Sequence, residues 1–404
     1  MSQDRGCWSG GVVTRVAGFG LALLFGGVAV GSLTLSGCDA TDGYDPSLRY
    51  DLRSDPLVLR TPDTTPSKIA DSGKRDDALV TLPTLGGQLA DPKLLPVAMR
   101  AELTHTLDEL FGTPAAPKVA GEAAGLDLSA EQLAAGSKVY RRLCLQCHGL
   151  TGDGHGLAGL WVYPYPRDFR LGVFKTAAGP DTKPRFEALV RLVRHGVPGT
   201  IMQPFDLIAD DEVRAATTYI IHLSLRGEVE FRVTKALLDD TGEESVSDTS
   251  TECHKVLAKS LARWADAQTA PPPIVEPFGE PDDPGYEESV RRGSQVFSGA
   301  GCAKCHDDYG RKETFRYDAW GHAARIPDLT RGEFRWGRDP ADLMARIRNG
   351  IPGTSMPAHP MLSDDALRDV ARFVRELPYP QRLPPDVHHT VYPTQPNDPR
   401  PTAR

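Results

Sequence analysis

The amino-acid sequence predicts a mainly α-helical protein in which one small module is used twice, in tandem, with long irregular segments around the copies. Three observations carry this. A Cys-x-x-Cys-His run occurs at Cys144–His148 and again at Cys302–His306. The elements flanking the two runs repeat in the same order with similar gaps. Apolar residues within each copy recur at helical intervals, whereas the proline-rich runs lie outside them.

Taken in chain order, residues 1–37 read as an export signal. Arg5 and Arg15 precede an apolar stretch from about Val16 to Leu35. The closing Leu35-Ser36-Gly37-Cys38 is similar to a bacterial lipoprotein box, which makes Cys38 the expected lipidation site. Acyl chains contribute about 0.8 kcal/mol per buried CH2, so a multiply acylated cysteine is a stable membrane anchor. The alternative is an uncleaved transmembrane helix. Either reading places the rest of the chain on the periplasmic side.

Residues 38–125 are rich in Pro, Asp, Thr and Gly, as in Thr61–Pro66, and read as a tether with one helical patch near 96–111. Residues 126–226 form the first module. Ser129 with Gln132 makes a capping box before its first helix, 185–195 has helical apolar spacing, and a last helix spans 210–225. Residues 227–283 read as a linker: an acidic run (239–252), an amphipathic helix near 254–267, then Pro271-Pro272-Pro273. Residues 284–380 repeat the module with helices at 286–297, 339–349 and 363–377, the last capped by Ser363. A tail, 381–404, follows.

The net charge of −8 is unevenly spread. The two modules are close to neutral (+2 and +1), while 39–125 (−5) and 227–283 (−8) hold the acid. No basic run with interleaved aromatics occurs, so nucleic-acid binding is not expected. Of seven cysteines, four lie in the two runs, Cys7 and Cys38 in the export segment, and Cys253 is left over, which leaves no disulfide framework.

Two thiols one helical turn apart can add to the two vinyl groups of one porphyrin, and the adjacent histidine then reaches the iron. The runs therefore predict two covalently attached c-type haems, on Cys144 with Cys147 and on Cys302 with Cys305; His148 and His306 are the expected proximal ligands. A zinc knuckle or a redox dithiol is the bland alternative. Each copy also carries a Gly-x-Pro-Gly-Thr-x-Met run, 196–202 and 350–356. Met202 and Met356 are the expected distal ligands, with Met361 and His195 as competitors. His/Met ligation fills both axial positions and favours electron transfer over substrate binding. The carbonyl of Pro327 is placed to orient His306, and the 166–169 segment to orient His148. Trp161, Tyr163, Tyr165 and Phe174 are expected against the first porphyrin, and Trp320, Phe334 and Trp336 against the second.

These runs, a Pro-Asp-Leu-type segment, the methionine loop and a closing helix resemble class I cytochromes c, in particular the membrane-tethered dihaem forms. The resemblance covers about half the chain. It implies a small helical fold whose first and last helices cross near the haem edge. It also implies a role as electron carrier, without a catalytic residue. The expected donor is a quinol-oxidising complex or a dehydrogenase, and the acceptor a terminal oxidase or a soluble cytochrome. The rivals are a catalytic dihaem enzyme (a peroxidase or a sulfur-compound dehydrogenase) and a fixed haem subunit of a larger oxidase or dehydrogenase.

Overall fold

The computed structural model describes residues 43–58, 89–179, 182–238, 248–270, 278–335, 337 and 339–393. The export segment with Cys38, the Thr61–Pro66 run, most of the acidic run, Pro271–Pro273 and Trp336 lie outside the described residues. The described chain is mainly helical, as expected. Its helices are α1 (Val97–Phe111), α2 (Ala130–Leu143), α3 (Leu145–His148), α4 (Phe186–His195), α5 (Asp210–Leu238), α6 (Thr249–Thr269), α7 (Tyr286–Gly299), α8 (Pro340–Asn349), α9 (Asp364–Glu376) and α10 (Pro385–Val391). Two short antiparallel pairs complete it: β1 (Leu57–Val58) with β2 (Leu89–Ala90), and β3 (Phe315–Tyr317) with β4 (Ala323–Arg325). Among the described residues no helix is long and apolar enough to cross a membrane.

In both modules the first and last helices pack tightly against each other, α2 on α5 and α7 on α9. A glycine makes each close approach possible. A Cβ on Gly136 would lie 2.0 Å from the Ala215 carbonyl oxygen, and one on Gly293 would lie 2.0 Å from that of Asp369. Helix starts follow the expected chemistry: Ser129 Oγ accepts from the Gln132 N–H at 3.3 Å, and Ser363 Oγ from the Ala366 N–H at 3.2 Å.

Around the first module the structure departs from the expected boundaries. The boundary at 226 falls inside α5, which runs on to Leu238. A glycine such as Gly227 is unfavourable inside a helix on propensity alone. In the fold, the Arg170 backbone packs against Gly227, where a Cβ would lie 2.4 Å from the Arg170 Cα. Glu228 is buried but accepts from Lys183 (2.7 Å), Ser260 (2.5 Å), Arg263 (2.5 Å) and Arg232 (3.0 Å), and Glu230 pairs with Arg226 at 2.9 Å. Burial of these carboxylates is tolerable because each has its cations. The turns beyond 226 add Val229 and Val233 to a core shared with Leu103, Leu107 and Phe111 of α1 and with Leu257 and Trp264 of α6. Parts of the expected tether and linker thus wrap the first module. Tyr50 is buried there as well, its hydroxyl 2.7 Å from that of Tyr219. The second core likewise extends past 380, through Val387 and Val391 of α10.

Candidate haem-binding sites

Each Cys-x-x-Cys-His run folds as one tight turn. The N–H groups of Cys147 and His148 donate to the Cys144 carbonyl at 3.1 and 2.9 Å; those of Cys305 and His306 donate to the Cys302 carbonyl at 3.2 and 2.9 Å. All four are free thiols. Burial, reinforced by the neighbouring Cys147, pushes the Cys144 thiol up to about 12. After the first turn the glycine-rich run doubles back on it: Gly154 N–H donates to the His148 carbonyl (2.9 Å) and Gly156 N–H to that of Cys147 (3.2 Å). A side chain on Gly156 would collide with the Gln146 carbonyl at 2.3 Å, so the run is a close wrap.

The two histidines are held from equivalent positions. His148 Nδ1 lies 3.2 Å from the Arg167 carbonyl. A carbonyl only accepts, so Nδ1 carries the proton and the Nε2 lone pair is free for a metal. Burial lowers the His148 pKa to about 4 against the effect of that carbonyl, so the ring is neutral at physiological pH. Burial brings His306 to about 4 as well. The Pro327 carbonyl faces His306 but in a looser geometry, and Nδ1 has no regular hydrogen-bond partner. Arg167 and Pro327 each precede the aspartate of their repeat, Asp168 and Asp328.

The two methionine loops are near copies. In each, a threonine hydroxyl donates to a carbonyl three residues back, Thr200 to Val197 and Thr354 to Ile351, both at 2.8 Å. The same hydroxyls accept from the Met202 and Met356 N–H groups at 3.1 and 3.2 Å. The Met202 and Met356 carbonyls accept from Val197 (2.9 Å) and Ile351 (3.2 Å). Positive φ at Gly196 (67°), Gly199 (70°), Gly350 (67°) and Gly353 (74°) closes the turns. Both methionines are half-buried. The competitors sit elsewhere: Met361 is 94% exposed, and His195 is exposed at the end of α4.

One supporting pair had no assigned role in the sequence reading. Arg194 Nη1 donates to the Phe205 (3.0 Å) and Ile208 (2.5 Å) carbonyls, and its Nη2 pairs with Asp210 at the start of α5. Arg348 does the same with the Leu362 carbonyl (2.8 Å) and Asp364 at the start of α9. Each arginine staples the methionine loop to the closing helix. The signal was the identical 16-residue separation of Arg and Asp in the two copies.

Residues 131–220 and 288–374 both match the family model described as cytochrome c oxidase, cbb3-type, subunit III. The chain carries two cytochrome c domains. No curated protein matches the chain. Among solved structures, a chain of the Kuenenia stuttgartiensis reducing HAO-like protein complex is similar at 26% identity, covering 60% of this chain and 95% of that one, with a TM-score of 0.43.

Cytochrome c domains imply covalently bound haem c, and the donor set fits it. Each domain brings two thiols on one turn, a neutral imidazole and a methionine on a hydrogen-bonded loop. Among the described residues no group of three or more His, Cys, Asp or Glu side chains is placed to hold a metal ion. In the first domain the exposed apolar residues Leu157, Leu160, Trp161, Ile201 and Leu207 belong to the segment after the cysteine run and to the methionine loop. Other aromatics have partners within the protein. Phe174 is buried between Phe169 and Trp264, in the core. Tyr163 and Tyr165 reach the second domain: the Tyr163 hydroxyl donates to the Ala323 carbonyl (2.9 Å), and the Tyr165 ring lies 5.1 Å from that of His322. Trp320 stacks under Arg167 of the first domain, 3.6 Å from its guanidinium carbon. These rings serve the domain contact because the β3–β4 hairpin brings them together. Leftover Cys253 is a buried thiol, pushed up to about 12 by burial and then by Glu102, and so unreactive.

Proposed function

We propose that this chain is a dihaem electron carrier of the periplasmic side, held at a membrane through lipidated Cys38. Cys144, Cys147, Cys302 and Cys305 hold two haems covalently; His148 with Met202, and His306 with Met356, supply the axial ligands. The observation that carries the reading is the near-identity of the two methionine loops, down to the threonine that fixes each methionine N–H. Two irons with both axial positions filled suit one-electron exchange without bond making. One electron leaves a reduced donor, a quinol-oxidising complex or dehydrogenase, and one reaches an acceptor, a terminal oxidase or soluble cytochrome. The protein contributes ligation, low dielectric and fixed geometry.

Spectroscopy of the ferric chain tests this. Both haems are expected to be six-coordinate with a methionine–iron charge-transfer band, and Met202→Ala and Met356→Ala each remove half of it. A five-coordinate haem in the unmodified chain would instead favour a dihaem enzyme. A second reading, a fixed haem subunit of a larger oxidase, is favoured by the description of the matched family model. Stoichiometric co-purification from detergent-solubilised membranes separates that reading from a free carrier.

A further inference from the structure

The β3–β4 hairpin touches the ligand supports of both domains. Its turn is pre-shaped: the Asp318 carboxylate accepts from the Trp320 (3.1 Å) and His322 (3.0 Å) N–H groups. On one side, the Trp320 indole N–H donates to the Asp168 carbonyl at 2.9 Å, and the Arg167 guanidinium covers the ring. Arg167 is the residue whose carbonyl holds His148. On the other side, the indole lies against Gly353, where a Cβ would meet its ring carbons at 2.5 Å, and the Ala319 N–H donates to the Gly353 carbonyl at 2.8 Å. Gly353 belongs to the Met356 loop. A generic domain contact joins surface side chains; this one joins the backbone beside a proximal ligand to the backbone before a distal one.

Resting on the ligand assignments above, we propose that Trp320 is a positioning residue shared by the two domains. It holds the His148 support and the Met356 loop against one indole, so that ligation in each domain depends on the other. No atom or electron passes to Trp320 in this role. Its hydrogen bond acts on the first domain alone and its ring contacts act on both, and two substitutions separate them. Trp320→Phe keeps a ring over Gly353 and beneath Arg167 but cannot donate to Asp168. Trp320→Ala loses both.

The test uses the full-length, haem-loaded chain. Both reduction potentials are measured, each assigned through Met202→His or Met356→His, together with the methionine–iron band and far-UV circular dichroism. In Trp320→Ala both potentials are expected to move, and the share of the second domain lacking its methionine band rises about tenfold, while the helical signal is kept. In Trp320→Phe the second domain recovers and the first stays shifted. If Trp320→Ala moves neither potential, or moves only one, the shared role is wrong. If the unmodified chain lacks methionine bands, the ligand assignments fall, and the two potentials still report whether Trp320 couples the domains.

Discussion

The two cytochrome c domains share a scaffold of turns and loops and differ in what surrounds it. The glycine at the helix crossing, the cysteine turn, the threonine-locked methionine loop and its arginine staple occur in both at matching positions. In the first domain, however, the histidine donates a regular hydrogen bond to Arg167 and stacks on Phe169 with ring centres 4.8 Å apart. In the second, His306 has only the looser Pro327 carbonyl, and the next residues include Asp308 and Tyr309 at φ of 50° and 58°. The first core is thickened by α1, α6 and the long end of α5; the second closes with the short α10. Turn and loop geometry is therefore the same in the two copies while histidine support and burial differ. A stronger hydrogen bond to a ligating imidazole raises its basicity. The two haems of the proposed carrier should thus differ in reduction potential although their ligands match.

The largest effects should come from breaking what the domains share. Replacing Cys144 and Cys147 with serine, or Cys302 and Cys305, is expected to leave one covalent haem per chain instead of two, read as haem-to-protein ratio after denaturing electrophoresis. Next come the helix crossings. Gly136→Ala and Gly293→Ala each drive a methyl into a carbonyl oxygen at 2.0 Å. Each should cost about 1–3 kcal/mol by denaturant unfolding. The thicker first core predicts that Gly136→Ala is the less disruptive for its domain; equal loss in both would break that part of the comparison.

A smaller effect is expected at the staples. Arg194→Ala and Arg348→Ala strand loop carbonyls that an arginine now satisfies, at about 1–3 kcal/mol. The sharper readout is the methionine–iron band, which should bleach at lower denaturant than global unfolding in either variant. Bleaching that coincides with global unfolding would show that the loop is held by something else.

Much of this was legible in the sequence because the chemistry is local. The cysteine turn, the helix caps and the methionine loop each depend on residues within one or two turns of chain, and duplication doubled every signal. What was not legible depends on distant partners. The linker boundary at 226 fails because nothing local reveals Lys183, Ser260 and Arg263 arriving to satisfy Glu228. Tyr163, Tyr165 and Trp320 also meet partners across the domains, and an aromatic near a haem motif carries no mark of such a partner. The hairpin that decides it is only two three-residue strands around Gly321.

The domain contact itself supplies the smallest and most specific expectation. Lys175 lies 3.7 Å from Asp318 and 5.7 Å from the Trp320 ring centre, facing also Arg167 and Arg335. Burial first, then the Arg167 charge, lowers its pKa to about 7, against the opposing pull of Asp318. In the unfolded chain the amine keeps its proton to about 10.4. Between those values the unfolded state binds a proton that the folded state does not, so stability contributed by this group rises with pH, by at most about 1.4 kcal/mol per pH unit. Below pH 7 both states are protonated and the slope vanishes. Lys175→Met removes the titration. Urea unfolding from pH 7 to 9 should therefore show the unmodified chain gaining stability relative to Lys175→Met. Parallel curves would mean that Lys175 stays charged in the contact, and that Asp318 outweighs both burial and Arg167.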